Sequence, residues 1–320
     1  YLYTAKITKE TMLANFLGKS KPINFIILLI LFFGVFMGTS FSLFESTSFD
    51  LYLLFKILFF LGFNLVVFFF YNFVVTKNNL TLDNFYAFFI FTIFLSYFTG
   101  ITTNLKTLTI LLLYILFLRK IYSLKSKINT LSKLFDSGFW LGILFLITPF
   151  SAVFGLLIYV SIFLHKKLII NNLIAPIIGF VTPLITYFTY CFWFDKLYVF
   201  TNLFYFDTFY SLIFNQKNTY HWILALILIL SVVAIFLKSP KAFSVNNSFK
   251  KSWILLIVNL LVALFFTFLV PDKNNTEFLF LLFPAAIIIA NGLESISSKL
   301  IKNIMFVLFI ASAVIVPFML

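Results

Sequence analysis

Two carboxylates with possible chemistry, Glu45 and Asp50, lie between two long apolar runs in the short segment FESTSFD. A carboxylate at the mouth of a helix bundle can act as a general base, or can hold a divalent cation beside a phosphate group. The simpler interpretation is that a short loop leaving a membrane needs polar residues to stay in water. Glu45 and Asp50 are the candidate catalytic residues. The sequence predicts no cofactor, apart from a divalent cation that such chemistry could use.

A second set of candidates lies in the aromatic segment DKLYVFTNLFYFDTFYSLIFNQKNTYHW, residues 195–222. Many Tyr and Phe residues with few charges favour an interfacial helix along one leaflet, bordering a cleft for a lipid-like substrate. The alternative is a connector that seals the bundle, with His221 as a residue at the membrane border. The candidates for guiding a substrate lipid are Asp195, Lys196, Asp207 and His221.

Other kinds of chemistry have little support in the sequence. The one cysteine and the two distant histidines form no metal-binding pattern, so we predict no disulfide and no dedicated metal site. No ionisable residue stands at the centre of a predicted span, where proton relays and ion-coupled pumps usually have one. This pattern argues against a proton-driven transporter and leaves a facilitator open.

The composition indicates the elements that position these residues. Of the 320 residues, 62% are hydrophobic and 10% are charged, whereas soluble domains are about 25% charged. A spanning helix needs roughly 20 mainly apolar residues. We predict an all-α polytopic transmembrane helix bundle of about 10–11 hydrophobic segments, with a basic segment at 1–21 and a single transmembrane domain at 22–320. The predicted segments are 22–44, 51–75, 84–97, 103–118, 137–164, 172–193, 222–237, 253–270, 278–293 and 303–320.

The uncharged run GFWLGILFLITPFSAVFGLLIYVSIFL decides the predicted topology. If 137–164 is a short helix hairpin broken near Pro149, the segments on the N-terminal side of the membrane hold 18 of the 23 Lys and Arg residues. If the run crosses once, every later loop changes side and the split becomes 13 to 10. Because Lys and Arg collect in cytoplasmic loops, we predict the hairpin and a cytoplasmic N-terminus. Two full crossings and a re-entrant pair both remain open, and one kinked span is the alternative.

The net charge of +13 follows from the same pattern. The lysines lie in short loops between apolar runs, where they set topology and attract anionic lipid. No compact basic domain is left to bind DNA or RNA. Membrane lipids are therefore the predicted partners, nucleic acid is not, and the sequence identifies no protein partner.

Several segments carry a family resemblance. GKSKPINFI, TKNNLT and SLKSKINTLSKLFDSGFWLGILFL, followed by NNLIAPIIGF, resemble an uncharacterised family of polytopic bacterial inner-membrane proteins. The resemblance covers most of the chain from Met12. It implies a multi-pass protein of the bacterial inner (cytoplasmic) membrane and brings no catalytic residues with it.

A more distant resemblance is to the C superfamily of glycosyltransferases, which use lipid-linked sugars. SGFWLGILFLITPFSAVFGLLIYVSIFLHKK and then IIGFVTPL are similar to its order of a short helix pair, a basic pair and a helix with Gly and Pro. The resemblance implies a polyprenyl-phosphate-linked sugar as substrate and an essential acid in the first outer loop, where Glu45 and Asp50 are the candidates. That loop is normally long, and here it has about six residues.

Three functional hypotheses follow from the sequence. The first is a glycosyltransferase-like protein of envelope biogenesis that acts on a polyprenyl-phosphate sugar at the outer face. The second is a non-catalytic scaffold or accessory subunit of an envelope or secretion machine. The third is a lipid or small-molecule transporter. Whether the protein is an enzyme stays open at this level.

Overall fold

The protein is helical in every regular element that the computed structural model describes, which covers residues 13–19, 21–45, 51–99, 102–126, 128–205, 220–244, 247–270 and 275–319. Eight of the described helices are long and apolar enough to cross a membrane, and the shorter apolar stretches Tyr86–Tyr97 and Pro149–Leu164 accompany them. The predicted all-α multi-pass bundle is confirmed. The helices are α1 (Leu13–Leu17), α2 (Pro22–Glu45), α3 (Leu51–Lys77), α4 (Tyr86–Tyr97), α5 (Leu105–Ser123), α6 (Thr130–Ile147), α7 (Gly155–Leu164), α8 (Ile170–Trp193), α9 (Leu197–Asn202), α10 (Tyr220–Ser244), α11 (Asn247–Leu269), α12 (Leu279–Ser295) and α13 (Lys299–Met319), with 3₁₀ turns at Pro149–Phe154 and Thr276–Phe278.

Most helices extend past the apolar runs that predict them. The run at 222–237 becomes α10, which ends at Ser244 and includes Lys238 and Lys241. A helix satisfies its backbone N–H and C=O groups internally, and lipid offers these groups no partners. The helical conformation therefore continues until water or another polar group can replace the next hydrogen bond. Hydropathy alone therefore predicts helices that are too short.

The chain forms two compact units. Unit 1 contains Tyr1–Leu108, Lys217–Val245 and Leu282–Leu320, and unit 2 contains Thr109–Gln216 and Asn246–Leu281. The predicted division into a basic segment at 1–21 and one transmembrane domain at 22–320 stays a prediction.

One fully buried helix of unit 1 is α4. All twelve of its residues are buried, and it packs against α2, α3 and α13. At 1.5 Å per residue it is about 18 Å long, well short of a hydrocarbon core of about 30 Å. The segment predicted at 84–97 is therefore a helix enclosed by its neighbours.

The basic segments of unit 1 meet at one end. The Phe85 N–H donates to the Leu17 carbonyl at 2.9 Å, and the Tyr86 hydroxyl donates to the Ala14 carbonyl at 3.1 Å. Nearby, Lys241 Nζ donates to the Ser295 carbonyl at 2.9 Å. These contacts join the segment before α2 to the start of α4, and the end of α10 to the end of α12. The charge distribution predicts that these lysine-rich segments lie on the same side of the membrane, and the contacts agree with it.

In unit 2, α6 and α8 pack with their backbones in contact. A Cβ atom added to Gly138 would lie 2.0 Å from the Pro176 carbonyl oxygen, and one added to Gly179 would lie 2.1 Å from the Phe135 carbonyl oxygen. A Cβ atom added to Gly142 would lie 2.5 Å from the Phe180 carbonyl oxygen. Gly138 faces Pro176, and Gly142, one turn later in α6, faces Phe180, one turn later in α8. The two helices therefore run parallel. The chain between them must therefore return to the end at which α6 began.

The return is made by the 3₁₀ turn Pro149–Phe154 and by α7. Just after α7, Lys167 Nζ donates to the Leu124 and Ser126 carbonyls, both at 2.8 Å, and to Thr130 Oγ1 at 3.1 Å. The residues that follow α7 thus lie beside the residues that precede α6. The predicted helix hairpin is confirmed, and a single kinked span does not fit this contact.

The hairpin is longer than the sequence predicts, because α6 begins at Thr130 and not near residue 137. Its outgoing limb of 18 residues is about 27 Å long. The returning limb has six 3₁₀ and ten α-helical residues, and a rise of about 2.0 Å per 3₁₀ residue makes it similar in length. Each limb is thus close to the thickness of a hydrocarbon core.

Candidate functional site

The predicted catalytic carboxylates lie where α2 gives way to α3. Glu45 is the last residue of α2, and α3 begins at Leu51. Asp50 and the Glu45 side chain lie outside the residues that the structure describes. Their catalytic role stays a prediction. Among the described residues, no three His, Cys, Asp or Glu side chains come together as a metal-binding group.

Two of the predicted lipid-guiding residues, Asp195 and Lys196, form the turn between α8 and α9. Asp195 has a φ of 52°, in the left-handed region that Asp tolerates better than most residues. The Lys196 N–H closes the turn by donating to the Cys191 carbonyl at 2.8 Å. Both side chains are exposed, which leaves them accessible for binding.

Aromatic side chains surround this turn. The ring of Phe200 in α9 contacts Phe188 in α8 at 5.2 Å, and Phe204 contacts Phe145 in α6 at 5.8 Å. Trp193 and Tyr205 are 79% and 76% exposed. Exposed aromatic rings beside charged residues are typical of a membrane–water interface. Residues 195–205, the described start of this segment, therefore expose aromatic rings, and the interfacial position of the segment stays a prediction.

The remaining two lipid-guiding candidates are less well placed. His221 is the second residue of α10, half-buried, and precedes Trp222, which is 75% exposed. It belongs to unit 1, whereas Asp195 and Lys196 belong to unit 2. Asp207 lies outside the described residues. The border position predicted for His221 agrees with the exposed Trp222, and the guiding role of this set stays a prediction.

The strongest polar cluster of unit 1 surrounds Glu294, a residue that the sequence does not single out. Glu294 Oε1 accepts hydrogen bonds from the Leu82 N–H at 2.9 Å and from Asn84 Nδ2 at 2.7 Å. Oε2 accepts from Lys238 Nζ at 2.9 Å, and the two side chains are 3% and 10% exposed. One buried carboxylate thus joins α10, α12 and the segment before α4. An acid near a helix C-terminus is unfavourable there without a cation, and this was the signal available in the sequence.

Unit 2 contains a second unpredicted polar group, inside its aromatic core. The Tyr114 hydroxyl donates to Asn259 Oδ1 at 2.6 Å, next to stacked rings of Phe154 and Phe280 at 5.1 Å. Glu277 is only 1% exposed. Hydropathy places Glu277 in the loop that precedes the predicted segment 278–293. Its 3₁₀ turn draws it into the packed interior.

His165 lies at the lysine-rich end of unit 2, directly after α7. Burial lowers its pKa to about 4 from an ordinary value of 6.5, and the charges of Lys251, Lys167 and Lys125 add to that effect. A folded-state pKa below the unfolded value means that the unfolded chain binds a proton that the native chain does not, between pH 6.5 and 4. We expect acidification through that window to destabilise the protein, and His165→Gln to remove that part of the pH dependence.

A histidine titration by NMR checks this expectation. Because the chain has two histidines, the His221→Gln variant leaves His165 as the single signal. The signal should stay that of a neutral imidazole at pH 5.5. A midpoint above pH 6 would contradict the half-buried, cation-rich environment.

The described helices and their packing define a multi-pass α-helical membrane protein. The chain belongs to a family described as a family of unknown function (DUF6427), whose sequence model matches residues 12–319. No curated protein and no solved structure matches the chain. The match begins at Met12, where the predicted resemblance to a family without an assigned reaction also begins, and that prediction is confirmed.

Proposed function

We propose that this protein is a glycosyltransferase-like protein of envelope biogenesis in the bacterial inner membrane. It acts on a polyprenyl-phosphate-linked sugar at the face opposite its lysine-rich loops. The observation that supports this proposal is the body formed by α6, the returning limb and α8. Their order, a helix pair followed by a basic pair and a Gly- and Pro-containing helix, is the order on which the resemblance to lipid-linked-sugar enzymes rests.

The lysine-rich loops give the proposal its orientation. In unit 2, Lys166, Lys167, Lys250 and Lys251 lie at the end where α6 and α8 begin. Cytoplasmic loops carry the excess of Lys and Arg, so this end faces the cytoplasm. The turn at Asp195 and Lys196 follows α8 at its other end and faces outward. An exposed aromatic surface at that turn suits the isoprenoid chain of a lipid carrier.

Glycosyl transfer from a lipid carrier requires two functions from the protein. A base must accept the proton of the acceptor hydroxyl while the sugar–oxygen bond to the lipid phosphate breaks. The departing phosphate also needs a positive charge nearby, which a divalent cation or a cationic side chain can supply. Glu45 and Asp50 supply the base and the cation ligand, while Asp195, Lys196, Asp207 and His221 guide the lipid.

The test is turnover of a polyprenyl-phosphate sugar by the purified full chain in liposomes, measured as release of the polyprenyl phosphate. Either Glu45→Gln or Asp50→Asn should lower turnover at least about 100-fold, because a general base contributes roughly 10²–10⁴-fold. Asp83→Asn is the matched control, since Asp83 is an exposed acid in a segment predicted on the opposite face, and it should retain turnover.

Two results would contradict the proposal. One is turnover that survives both substitutions while the unfolding temperature is unchanged. The other is a wild-type chain that turns over no lipid-linked sugar and purifies with other proteins in fixed stoichiometry. That second result would favour a non-catalytic scaffold or accessory subunit. A transporter would instead move the lipid-linked sugar across the bilayer without releasing its phosphate carrier.

A further inference from the structure

A basic pocket lies at the lysine-rich end of unit 2. Its volume is about 500 Å³, within the usual range of roughly 300–1,000 Å³ for ligand pockets. The end of α7 and the first turns of α11 form its walls. The residues that line it are Phe163, Leu164, Lys166, Leu168, Asn247, Lys250, Lys251 and Ile254.

The charge of this pocket has one sign. Lys166, Lys250 and Lys251 line it, and none of the eight described lining residues is acidic. The first turn of α11 adds the partial positive charge of a helix N-terminus. Burial lowers the pKa of the neighbouring His165, and the charges of Lys251, Lys167 and Lys125 lower it further. An anion with several acceptor oxygens, such as a phosphate ester, is the ligand class that fits.

The pocket is amphipathic, and this distinguishes a lipid from a free anion. Phe163 and Leu168 are 68% and 59% exposed, and both line the pocket beside the lysines. A soluble phosphate gains nothing from apolar rings, whereas a lipid places its acyl chains against them while its headgroup meets the cations. Basic pockets between transmembrane helices on the cytoplasmic side bind anionic headgroups by this combination.

Lys167, which also lies in this region, has a structural role. Lys167 donates to two backbone carbonyls and to Thr130, so it holds the hairpin closed. Its neighbour Lys166 has a φ of 54°, and this left-handed turn sends the two adjacent side chains to different surroundings. Lys166 is exposed and lines the pocket.

We propose that the pocket between α7 and α11 binds the phosphate headgroup of an anionic membrane lipid. Lys166, Lys250 and Lys251 hold the phosphate oxygens, and Phe163 and Leu168 contact the acyl chains. Such a lipid would join α7 to α11 at the lysine-rich face of unit 2. This inference does not depend on the proposed transferase activity, because it concerns a different set of residues.

The experiment counts and ranks bound lipids by native mass spectrometry of the full chain. The probes are a phosphatidylglycerol, a cardiolipin and a neutral phosphatidylcholine, with inorganic phosphate as a fourth arm. The wild-type chain should retain an anionic lipid in preference to the neutral one. The triple variant Lys166→Asn, Lys250→Gln and Lys251→Gln should bind it at least about tenfold more weakly, since each lysine near a membrane surface contributes measurably to anionic lipid binding. Asn replaces Lys166 because it tolerates the left-handed backbone.

A charge-matched triple variant controls for general attraction. Lys19→Gln, Lys77→Gln and Lys299→Gln remove the same charge from exposed positions that do not line the pocket. This variant should change affinity less than about threefold. Equal losses in the two triple variants would show diffuse surface attraction and overturn the proposal, as would a wild-type chain with no preference for anionic lipid.

Two further arms separate the possible sources of phosphate and guard against misfolding. Leu168→Ala should weaken lipid binding and leave any binding of inorganic phosphate unchanged. If millimolar inorganic phosphate displaces the lipid and Leu168→Ala has no effect, the pocket is a site for a soluble anion and the lipid assignment is wrong. If the triple variant does not fold, the single variant Lys251→Gln replaces it, and it should still weaken anionic lipid binding without affecting neutral lipid.

Discussion

Replacing Glu294 with glutamine is expected to destabilise the protein by about 3–5 kcal/mol, the usual cost of leaving one partner of a buried ion pair without its counter-charge. Glutamine keeps an acceptor for the Leu82 N–H and for Asn84. It leaves the ammonium group of Lys238 buried, where its side chain is 10% exposed. The measurement is the free energy of unfolding of the purified chain in detergent, compared with the wild type.

The double variant makes this prediction specific. Lys238→Met alone should also be destabilising, because it leaves the Glu294 carboxylate, 3% exposed, without its cation. Lys238→Met combined with Glu294→Gln should recover much of the loss, since replacing both members of a buried pair is often nearly neutral. Two single losses that simply add in the double variant would show that the pair does not interact.

Gly138→Ala and Gly179→Ala are expected to have effects of similar size through sterics alone. The new Cβ atoms would lie 2.0 Å and 2.1 Å from backbone oxygens of the facing helix, and a backbone atom cannot move aside as a flexible side chain can. The two helices must separate, with a cost of about 1–3 kcal/mol or more for overpacking. The loss of unfolding free energy should be accompanied by a weaker association of α6 with α8.

Two other glycines provide the matched control. Nothing lies within 4 Å of a Cβ built on Gly34 or Gly62, and both residues are inside long helices. Gly34→Ala and Gly62→Ala should therefore leave stability unchanged or raise it by up to about 1 kcal/mol, since Ala is the better helix former. If all four substitutions have the same effect, backbone entropy and not helix contact determines it.

The helices could be predicted from the sequence because lipid leaves the backbone few alternatives. Every predicted apolar segment coincides with a helix, and lysine placement gave the return at 137–164. The start of α6 could not be predicted, because Lys133 and Asp136 make residues 130–136 resemble a loop. Asp136 in α6 pairs with Lys120 in α5 at 2.5 Å. The hydrophobic periodicity of a single segment cannot indicate a contact with a different helix.

The polar sites were harder to predict for the same reason. The role of Glu294 depends on the Leu82 backbone and on Asn84, which are 212 and 210 positions away in the chain. Residue type alone favours Glu45 and Asp50, and only the position of Glu294 near a helix C-terminus distinguishes it in the sequence. The buried position of Glu277 likewise follows from a 3₁₀ turn that hydropathy does not indicate. Sequence reasoning finds candidate acids, and only packing determines which of them have partners.

Cysteine accessibility measures the return of the hairpin most directly. The single native cysteine, Cys191, is buried, so Cys191→Ala gives a background without reactive thiols. Ser126→Cys and Lys166→Cys report the two basic loops, and Tyr198→Cys reports the start of α9. In membranes of known orientation, a membrane-impermeant maleimide should label positions 126 and 166 from the same face and position 198 from the opposite face. Labelling of 126 and 166 from opposite faces would contradict the hairpin and the placement of the proposed site.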